Sequence, residues 1–227
     1  MNGTRPVPKP LWAVVELLVA GAIIVAGLKL EIVLFRYGSM PWLVAFAALF
    51  LWWRRADVLG FGLGRPASWR RTILVGLLVG VGYQFLGTFV VEPAITRWTT
   101  GQLPDVSGFR SLVGDKAGLA FWIGYAWVMA ALLEEIAFRG WILTRFAELG
   151  RFSTSAWVAG MLASSVLFGG VHVYQGVSGM IATGLSGFVF AVIYLATDRN
   201  LWAAIVAHGA MDTAGFVMIY FGVYPGL

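Results

Sequence analysis

The chain has 227 residues, of which 59% are hydrophobic and 12% are charged. Soluble domains usually carry about 25% charged residues, so this composition excludes an ordinary soluble fold and indicates a protein whose solvent is the lipid bilayer. The net charge of +5 is spread between apolar runs without a basic, aromatic-rich stripe, which argues against nucleic acid as a partner. The lack of cysteine excludes disulfides, thiol chemistry and cysteine-ligated metals.

The apolar runs predict the transmembrane helices. A helix that crosses the hydrocarbon core needs about 20 mostly apolar residues. In chain order, the runs that meet or approach this length are 11–30, 38–53, 72–91, 118–146, 155–173, 178–197 and 201–222. The first run has no convincing cleavage site for a signal peptide, so we interpret it as a retained helix. The fourth run exceeds the thickness of the core, and we expect it to emerge as an amphipathic extension.

Segment 92–117 is predicted to be a loop that contains at most a short interfacial helix. Its polar and helix-breaking residues are Glu92, Pro93, Arg97, Pro104, Asp105, Gly108, Asp115 and Lys116. The predicted fold is all-α, a polytopic transmembrane bundle of about seven to eight helices, with 1–227 as a single integral membrane domain. We expect a conical or cavity-containing catalytic core in the C-terminal half.

The basic residues of the loops predict the orientation, because cytoplasmic loops carry an excess of Lys and Arg. With seven spans and a cytoplasmic N-terminus, ten basic residues fall inside and five outside, which favours this orientation. The inner residues are Arg5, Lys9, Arg54, Arg55, Arg65, Arg70, Arg71, Arg145, Arg151 and Arg199, and the outer ones are Lys29, Arg36, Arg97, Arg110 and Lys116. A further helix within 92–117 would reverse the orientation of the C-terminal half.

Six ionisable residues fall inside the last four apolar runs, where a charge costs at least about 2.5–3.5 kcal/mol per residue. They are Glu134, Glu135, Arg139, His172, His208 and Asp212. Such residues normally face the interior of a bundle and mark a site or a pathway. Glu16 and Glu92 lie near the ends of their runs, and an interfacial position explains them without a function.

The first polar motif is Glu134-Glu135-Ile-Ala-Phe-Arg139. On a helix, Glu135 and Arg139 are neighbours at i,i+4 and can form an ion pair. Glu134 points about 100° away from Glu135, so the two carboxylates have different surroundings, which is how acid and base roles are divided. The structural alternative is a Glu–Arg pair with a spare glutamate that reaches the interface.

The second and third motifs contain the two histidines of the chain. In Phe168-Gly-Gly-Val-His172 the two rings share one helix face, and the glycine pair allows a close approach or a bend. In His208-Gly-Ala-Met-Asp212 a carboxylate can fix the tautomer of the imidazole. Each motif alone also fits a hydrogen-bonded structural role, but three polar faces on neighbouring helices indicate that these faces meet.

The three motifs, in this order and in separate apolar runs, resemble the signature of the CPBP family of intramembrane proteases, also called the ABI or type II CAAX-protease family. The signature is Glu-Glu-x-x-x-Arg, then Phe-x-x-x-His, then His-x-x-x-Asn or Asp. The resemblance covers about residues 118–215, which we interpret as the catalytic core. It implies a glutamate-type endopeptidase of lipidated or transmembrane substrates, in the plasma membrane of a prokaryotic cell.

The resemblance also implies roles for the motif residues. Glu134 and His172 would activate the attacking water, and His208 with Asp212 would stabilise the oxyanion. Glu135, Arg139 and Phe168 would support the site. An asparagine at position 212 would donate a hydrogen bond, whereas Asp212 donates only when it is protonated, as a dry site can favour, and otherwise orients His208.

Two alternatives concern the chemistry and the function. Glu134, His172, His208 and Asp212 form a donor set that could hold zinc, although the resemblance favours a mechanism without a cofactor or metal. The residues also fit a proton-coupled transporter, which predicts inverted repeats that this sequence lacks, and a non-catalytic scaffold or immunity protein. The expected partners are the bilayer and a peptide or protein substrate; the oligomeric state is not predicted.

The depth of the motifs imposes a condition on the fold. With uniform spans, His172 lies at the outer end of the fifth helix, whereas His208 lies about two turns from the inner face. The two can form one site if the turn near Tyr174-Gln175-Gly176 is sunk into the bundle, or if the fifth helix begins well outside the inner face. Irregular backbone is tolerated at membrane depth where it lines a cavity. We therefore expect a cavity, open to water on the side of Glu134.

Overall fold

A computed structural model describes residues 9–29, 40–54, 62–99, 101–103 and 106–227. Arg5, Arg36, Arg55, Pro104 and Asp105, named above, lie outside these ranges. The described residues form helices and no strands. The helices are α1 (Pro10–Lys29), α2 (Met40–Trp53), α3 (Trp69–Trp98), α4 (Lys116–Leu149), α5 (Thr154–Gly170), α6 (Gly176–Ala196) and α7 (Leu201–Tyr220), with 3-10 turns at Ser107–Leu112 and Val173–Gln175.

The structure confirms the prediction of an all-α, polytopic bundle. Among the described residues, five helices are long and apolar enough to cross a membrane: α1, α3, α4, α7, and α6 together with the 3-10 turn that precedes it. Helices α2 and α5 are apolar but shorter, with 14 and 17 residues. Many large apolar side chains on the outside of the bundle are exposed, as expected where lipid replaces water.

The predicted loop at 92–117 is wrong at its beginning, because α3 continues through Pro93 to Trp98. The residues before the proline, Gly87–Val91, form a π-helical turn in which the N–H of Glu92 donates to the carbonyl of Gly87. A proline clashes with the carbonyl of the preceding turn in a regular α-helix. The wider π turn relieves this clash, so the helix goes on.

The C-terminal part of α4 is not the amphipathic extension that its length predicts. Residues from Ile136 to Thr144 are buried, and so are Ala147 and Glu148 near the end of the helix. This part of α4 is covered by α1, α2 and α5, so it forms the centre of the bundle rather than a surface.

A buried ion network explains why charged residues are tolerated at that end of α4. Arg54 donates to Glu16 at 2.8 Å and to Glu148 at 2.5 Å, and Arg145 lies 3.0 Å from Glu148. Trp141 also donates to Glu16, at 2.8 Å. The sequence gives no partner for Glu16, whereas its side chain is 1% exposed and paired with Arg54.

The same network brings the N-terminus of α1, the end of α2 and the end of α4 to one place, since the backbone N–H of Lys9 donates to Glu148 at 2.8 Å. The predicted topology requires these three chain segments to share one side of the membrane. The structure agrees on that grouping.

Helices α3 and α7 pack closely through glycine. A Cβ atom at Gly80 would lie 2.1 Å from the carbonyl oxygen of Ala207, and one at Gly76 would lie 2.6 Å from the side chain of Val206. The third motif lies on α7, so this contact sets the position of His208 relative to α3.

We expect Gly80→Ala to lower the midpoint of thermal unfolding in detergent, because overpacking against backbone costs about 1–3 kcal/mol. Gly82→Ala is the matched control on the same helix, since a Cβ there meets no atom within 4 Å. It should leave the midpoint unchanged or slightly raised, because alanine favours helix. Equal midpoints for the two variants would contradict the packing described here.

Candidate active site

The acidic pair of the first motif lies between two distorted stretches of α4. Ala126–Leu132 and Ile136–Leu143 are π-helical, and only Leu133–Glu135 between them has α-helical geometry. π-helical turns inside long helices are frequent at functional sites, since each one shifts the faces that follow it. The side chain of Glu134 is 14% exposed and faces a cavity, whereas that of Glu135 is fully buried.

Glu135 joins two of the three motifs. Its Oε1 accepts from Nη1 of Arg139 at 2.8 Å, which confirms the predicted i,i+4 pair. The same oxygen accepts from Nδ1 of His208 at 2.9 Å, across 73 residues of sequence. This second contact was not predicted, because residue spacing within one helix says nothing about a partner on another helix.

Arg139 is fully buried, and both of its Nη atoms are hydrogen-bonded. Its Nη2 donates to the carbonyl of Gly187 at 2.8 Å, and its guanidinium carbon lies 4.4 Å from the ring centre of Phe168 and 5.4 Å from that of Phe190. A side chain at position 187 would collide with this arrangement, since a Cβ there lies 2.9 Å from Nη2. Arg139 thus fixes α4, α5 and α6 around one charge.

The imidazole of His208 is fixed by packing as well as by Glu135. Its ring stacks on Phe190, with centres 4.7 Å apart and planes at 21°, and it packs edge-to-face with Phe168, with centres 6.0 Å apart. The adjacent Gly209 lets the ring of Trp127 approach, because a Cβ there would lie 2.6 Å from it. Because Nδ1 is bound to Glu135, only Nε2 of His208 is left for other partners.

Asp212 does not orient His208 through Nδ1, because Glu135 occupies that nitrogen. Its Oδ2 lies 3.6 Å from Nε2 of His208, and Oε2 of Glu134 lies 3.9 Å from the same atom. Both distances exceed a normal hydrogen bond. Nε2 of His208 therefore stands between two carboxylates, with room for a further group.

His172 lies in an irregular segment rather than in a helix. Helix α5 ends at Gly170, a 3-10 turn covers Val173–Gln175, and Gly176 takes a left-handed φ of +76° before α6. Nδ1 of His172 lies 2.7 Å from the carbonyl oxygen of Phe168. A carbonyl only accepts, so Nδ1 carries the proton and Nε2 of the neutral ring is the lone-pair nitrogen.

These side chains line one cavity of about 490 Å³. Its walls include Glu134, His172, His208 and Asp212, together with Tyr174 and Gln175 of the irregular turn. The turn itself is not sunk into the bundle, since Tyr174 is 72% exposed, but it forms part of the cavity wall, so His172 and His208 face the same cavity. Phe168 also lines the cavity, whereas Glu135 and Arg139 lie behind the wall.

The N-terminal half supplies part of the same cavity. Tyr83, Gln84, Gly87 and Glu92 of α3 all line it. Sequence patterns gave no sign of this, because these residues belong to no motif.

Among the residues that the structure describes, no group of three or more His, Cys, Asp or Glu side chains could hold a metal ion. We therefore derive no step through a metal.

The fold and the site together define a polytopic membrane protein with a polar internal cavity, the class to which intramembrane proteases belong. Residues 116–214 match the family model described as Type II CAAX prenyl endopeptidase Rce1-like. This confirms the resemblance to the CPBP, or CAAX protease, family over the segment that contains all three motifs. The matched segment is under half of the chain. Comparison with curated proteins and with solved structures found no match.

We expect Arg139→Met to destabilise the protein by about 3–5 kcal/mol, because it leaves the buried carboxylate of Glu135 without its cation. The double variant Glu135→Gln/Arg139→Met should recover part of this loss, since it removes both charges. Unfolding in detergent, followed by circular dichroism, measures the change. Arg71→Met, at an exposed position of α3, is the control and should have little effect. If Arg139→Met and Arg71→Met were equally stable, the buried pair of Glu135 with Arg139 would not stabilise the site.

Proposed function

We propose that this protein is an intramembrane endopeptidase that hydrolyses peptide bonds of membrane-associated substrates, either lipidated or transmembrane. The family match supports a membrane protease, and the finer mechanism is our proposal. The observation that carries it is the meeting of Glu134, His172, His208 and Asp212 at one cavity. A site inside the bilayer is reached by lateral diffusion, which favours substrates that are themselves anchored in the membrane.

The attacking water is placed between Glu134 and His172. The ionised carboxylate of Glu134 takes a proton from the water as its oxygen bonds to the carbonyl carbon of the substrate. Nε2 of His172 holds the water through its lone pair, because Nδ1 is already bound to the carbonyl of Phe168. A positioned base of this kind contributes about 10²–10⁴-fold to the rate.

The oxyanion forms on the side of His208. To donate there, His208 carries protons on both nitrogens, one for Glu135 and one for the oxyanion. Two carboxylates within 4 Å compensate its positive charge, those of Glu134 and Glu135. Donors aimed at the developing oxyanion stabilise the transition state more than the substrate.

Collapse of the tetrahedral intermediate breaks the C–N bond. The proton that Glu134 took from the water then moves to the leaving amine, so the carboxylate is regenerated. Asp212, which lies at the same end of the cavity and is 20% exposed, acts in its protonated form as a second donor to the oxyanion. Neutralising Glu134 is therefore expected to abolish the base, whereas neutralising Asp212 is expected to keep the oxyanion donor.

We expect Glu134→Gln and His172→Gln each to lower kcat at least about 10²-fold, because each removes part of the base that activates the water. The assay is cleavage of quenched fluorescent, lipidated and transmembrane peptides by purified protein in liposomes. Ser164→Ala, a buried polar change on α5, is the control and should keep full activity. A chelator should leave the rate unchanged, whereas loss of activity with recovery on added zinc would restore the metal alternative. Variants that cut as well as wild type at equal stability would refute the assignment of the base.

We expect Asp212→Asn to retain cleavage within about tenfold of wild type, because an amide donates the same hydrogen bond as a protonated carboxyl. Asp212→Leu, which is similar in size and cannot donate, should lose at least about 10²-fold in kcat. Both variants are compared in the same peptide assay after their thermal stabilities have been matched. Equal loss in Asn and Leu variants would mean that the negative charge of Asp212 is what the reaction needs.

A further inference from the structure

The cavity has a second polar end that the proposed chemistry does not use. One end holds Glu134, His172, His208 and Asp212. Gln84, Glu92 and Tyr224, from α3 and from the segment after α7, also line the cavity, and we call this part of it the Glu92 end. The aromatic walls of the cavity include Tyr83, Phe109, Trp122 and Phe216.

Glu92 is a buried carboxylate without a cation. Its residue is 9% exposed. Its Oε1 accepts from the hydroxyl of Tyr224 at 3.2 Å. Among the residues that the structure describes, no Lys, Arg or His nitrogen lies within 4.0 Å of it, although the other buried glutamates each have such a partner. Removing a carboxylate from water without a counter-charge is costly.

The partner of Glu92 is a neutral donor and remains one. Burial first, and then the negative charge of Glu92, raises the pKa of Tyr224 to about 12. Tyr224 therefore keeps its proton at physiological pH and donates one hydrogen bond. The other lone pairs of the carboxylate are left for a group in the cavity, which Glu92 lines.

There is room for such a group beside Glu92. Gly87, one turn before it on α3, also lines the cavity, and a Cβ atom added there meets nothing within 4 Å. The aromatic walls suit the apolar stem of a long side chain whose charged head reaches further.

We propose that the Glu92 end of the cavity is a binding subsite for a cationic group of the substrate, the amine of a lysine or the guanidinium of an arginine side chain. The inference rests on the proposed function, because the same cavity would hold the peptide bond at its other end. A bound cation supplies the counter-charge that Glu92 lacks. The subsite therefore selects substrates with a basic residue near the scissile bond.

Binding tests this subsite without catalysis. The protein is the Glu134→Gln variant in nanodiscs, and the probes are dansyl-lysine amide and dansyl-norleucine amide, which differ by the charged amine. Empty nanodiscs give the background. We expect the lysine probe to bind about tenfold or more tightly than the norleucine probe. Adding Glu92→Gln should abolish the difference, whereas adding Asp212→Asn should preserve it.

Either of two results would overturn the subsite: equal binding of the two probes, or a lysine preference that survives Glu92→Gln. If the preference for the lysine probe were lost in Asp212→Asn instead, the cation would bind at the catalytic end of the cavity. That result would also refute the Glu92 subsite. Gly87→Met, which fills the space beside Glu92 without changing charge, is a second variant and should weaken the lysine probe by a similar factor.

A cleavage experiment links the subsite to the reaction. Wild type is given quenched peptides that carry lysine, norleucine or glutamate at each position around the scissile bond. We expect one position at which lysine raises kcat/KM about tenfold over norleucine. This increase should be lost in Glu92→Gln. A Glu92→Gln variant with the wild-type preference would refute the subsite. If wild type cut none of the peptides, the proposed function would fail while the binding result still decided the subsite.

Discussion

One buried oxygen, Oε1 of Glu135, joins the parts of this site. It accepts from Arg139 on its own helix and from His208 on α7, so it fixes the angle between these helices and the tautomer of the imidazole. An unpaired charge at this depth would cost several kcal/mol, which makes the arrangement intolerant of any loss of partner. The contacts of Arg139 with Phe168, Phe190 and Gly187 then extend the same constraint to α5 and α6.

The neighbouring carboxylate of Glu134 has the opposite environment because it points away from Glu135 on the helix. It faces the cavity, where Nε2 of His208 is 3.9 Å away. One residue of the pair is thus committed to structure and its neighbour is available for chemistry. This division between a supporting shell and a reacting group is what a pre-organised site requires.

The sequence predicted the contacts that depend on spacing along one helix and missed those between helices. The pair of Glu135 with Arg139 followed from i,i+4 spacing, and the all-α bundle followed from the apolar runs. Three features depend on tertiary packing, which no local sequence pattern predicts. They are the hydrogen bond from His208 to Glu135, the ion pairs of Glu16 and the Glu92 end of the cavity. The path of α3 through Pro93 was also missed, because a proline alone favours a helix end, whereas the preceding π turn removes the clash.

The proposed chemistry requires a free lone pair on Nε2 of His172 and a proton on Nε2 of His208. With two histidines in the chain, ¹⁵N NMR of histidine-labelled protein in nanodiscs reads both rings directly. We expect one neutral ring protonated at Nδ1 and one ring protonated at both nitrogens, with Glu135→Gln shifting the signals of the second ring alone. A neutral ring protonated at Nε2 would leave His172 without a lone pair for water and would contradict the account.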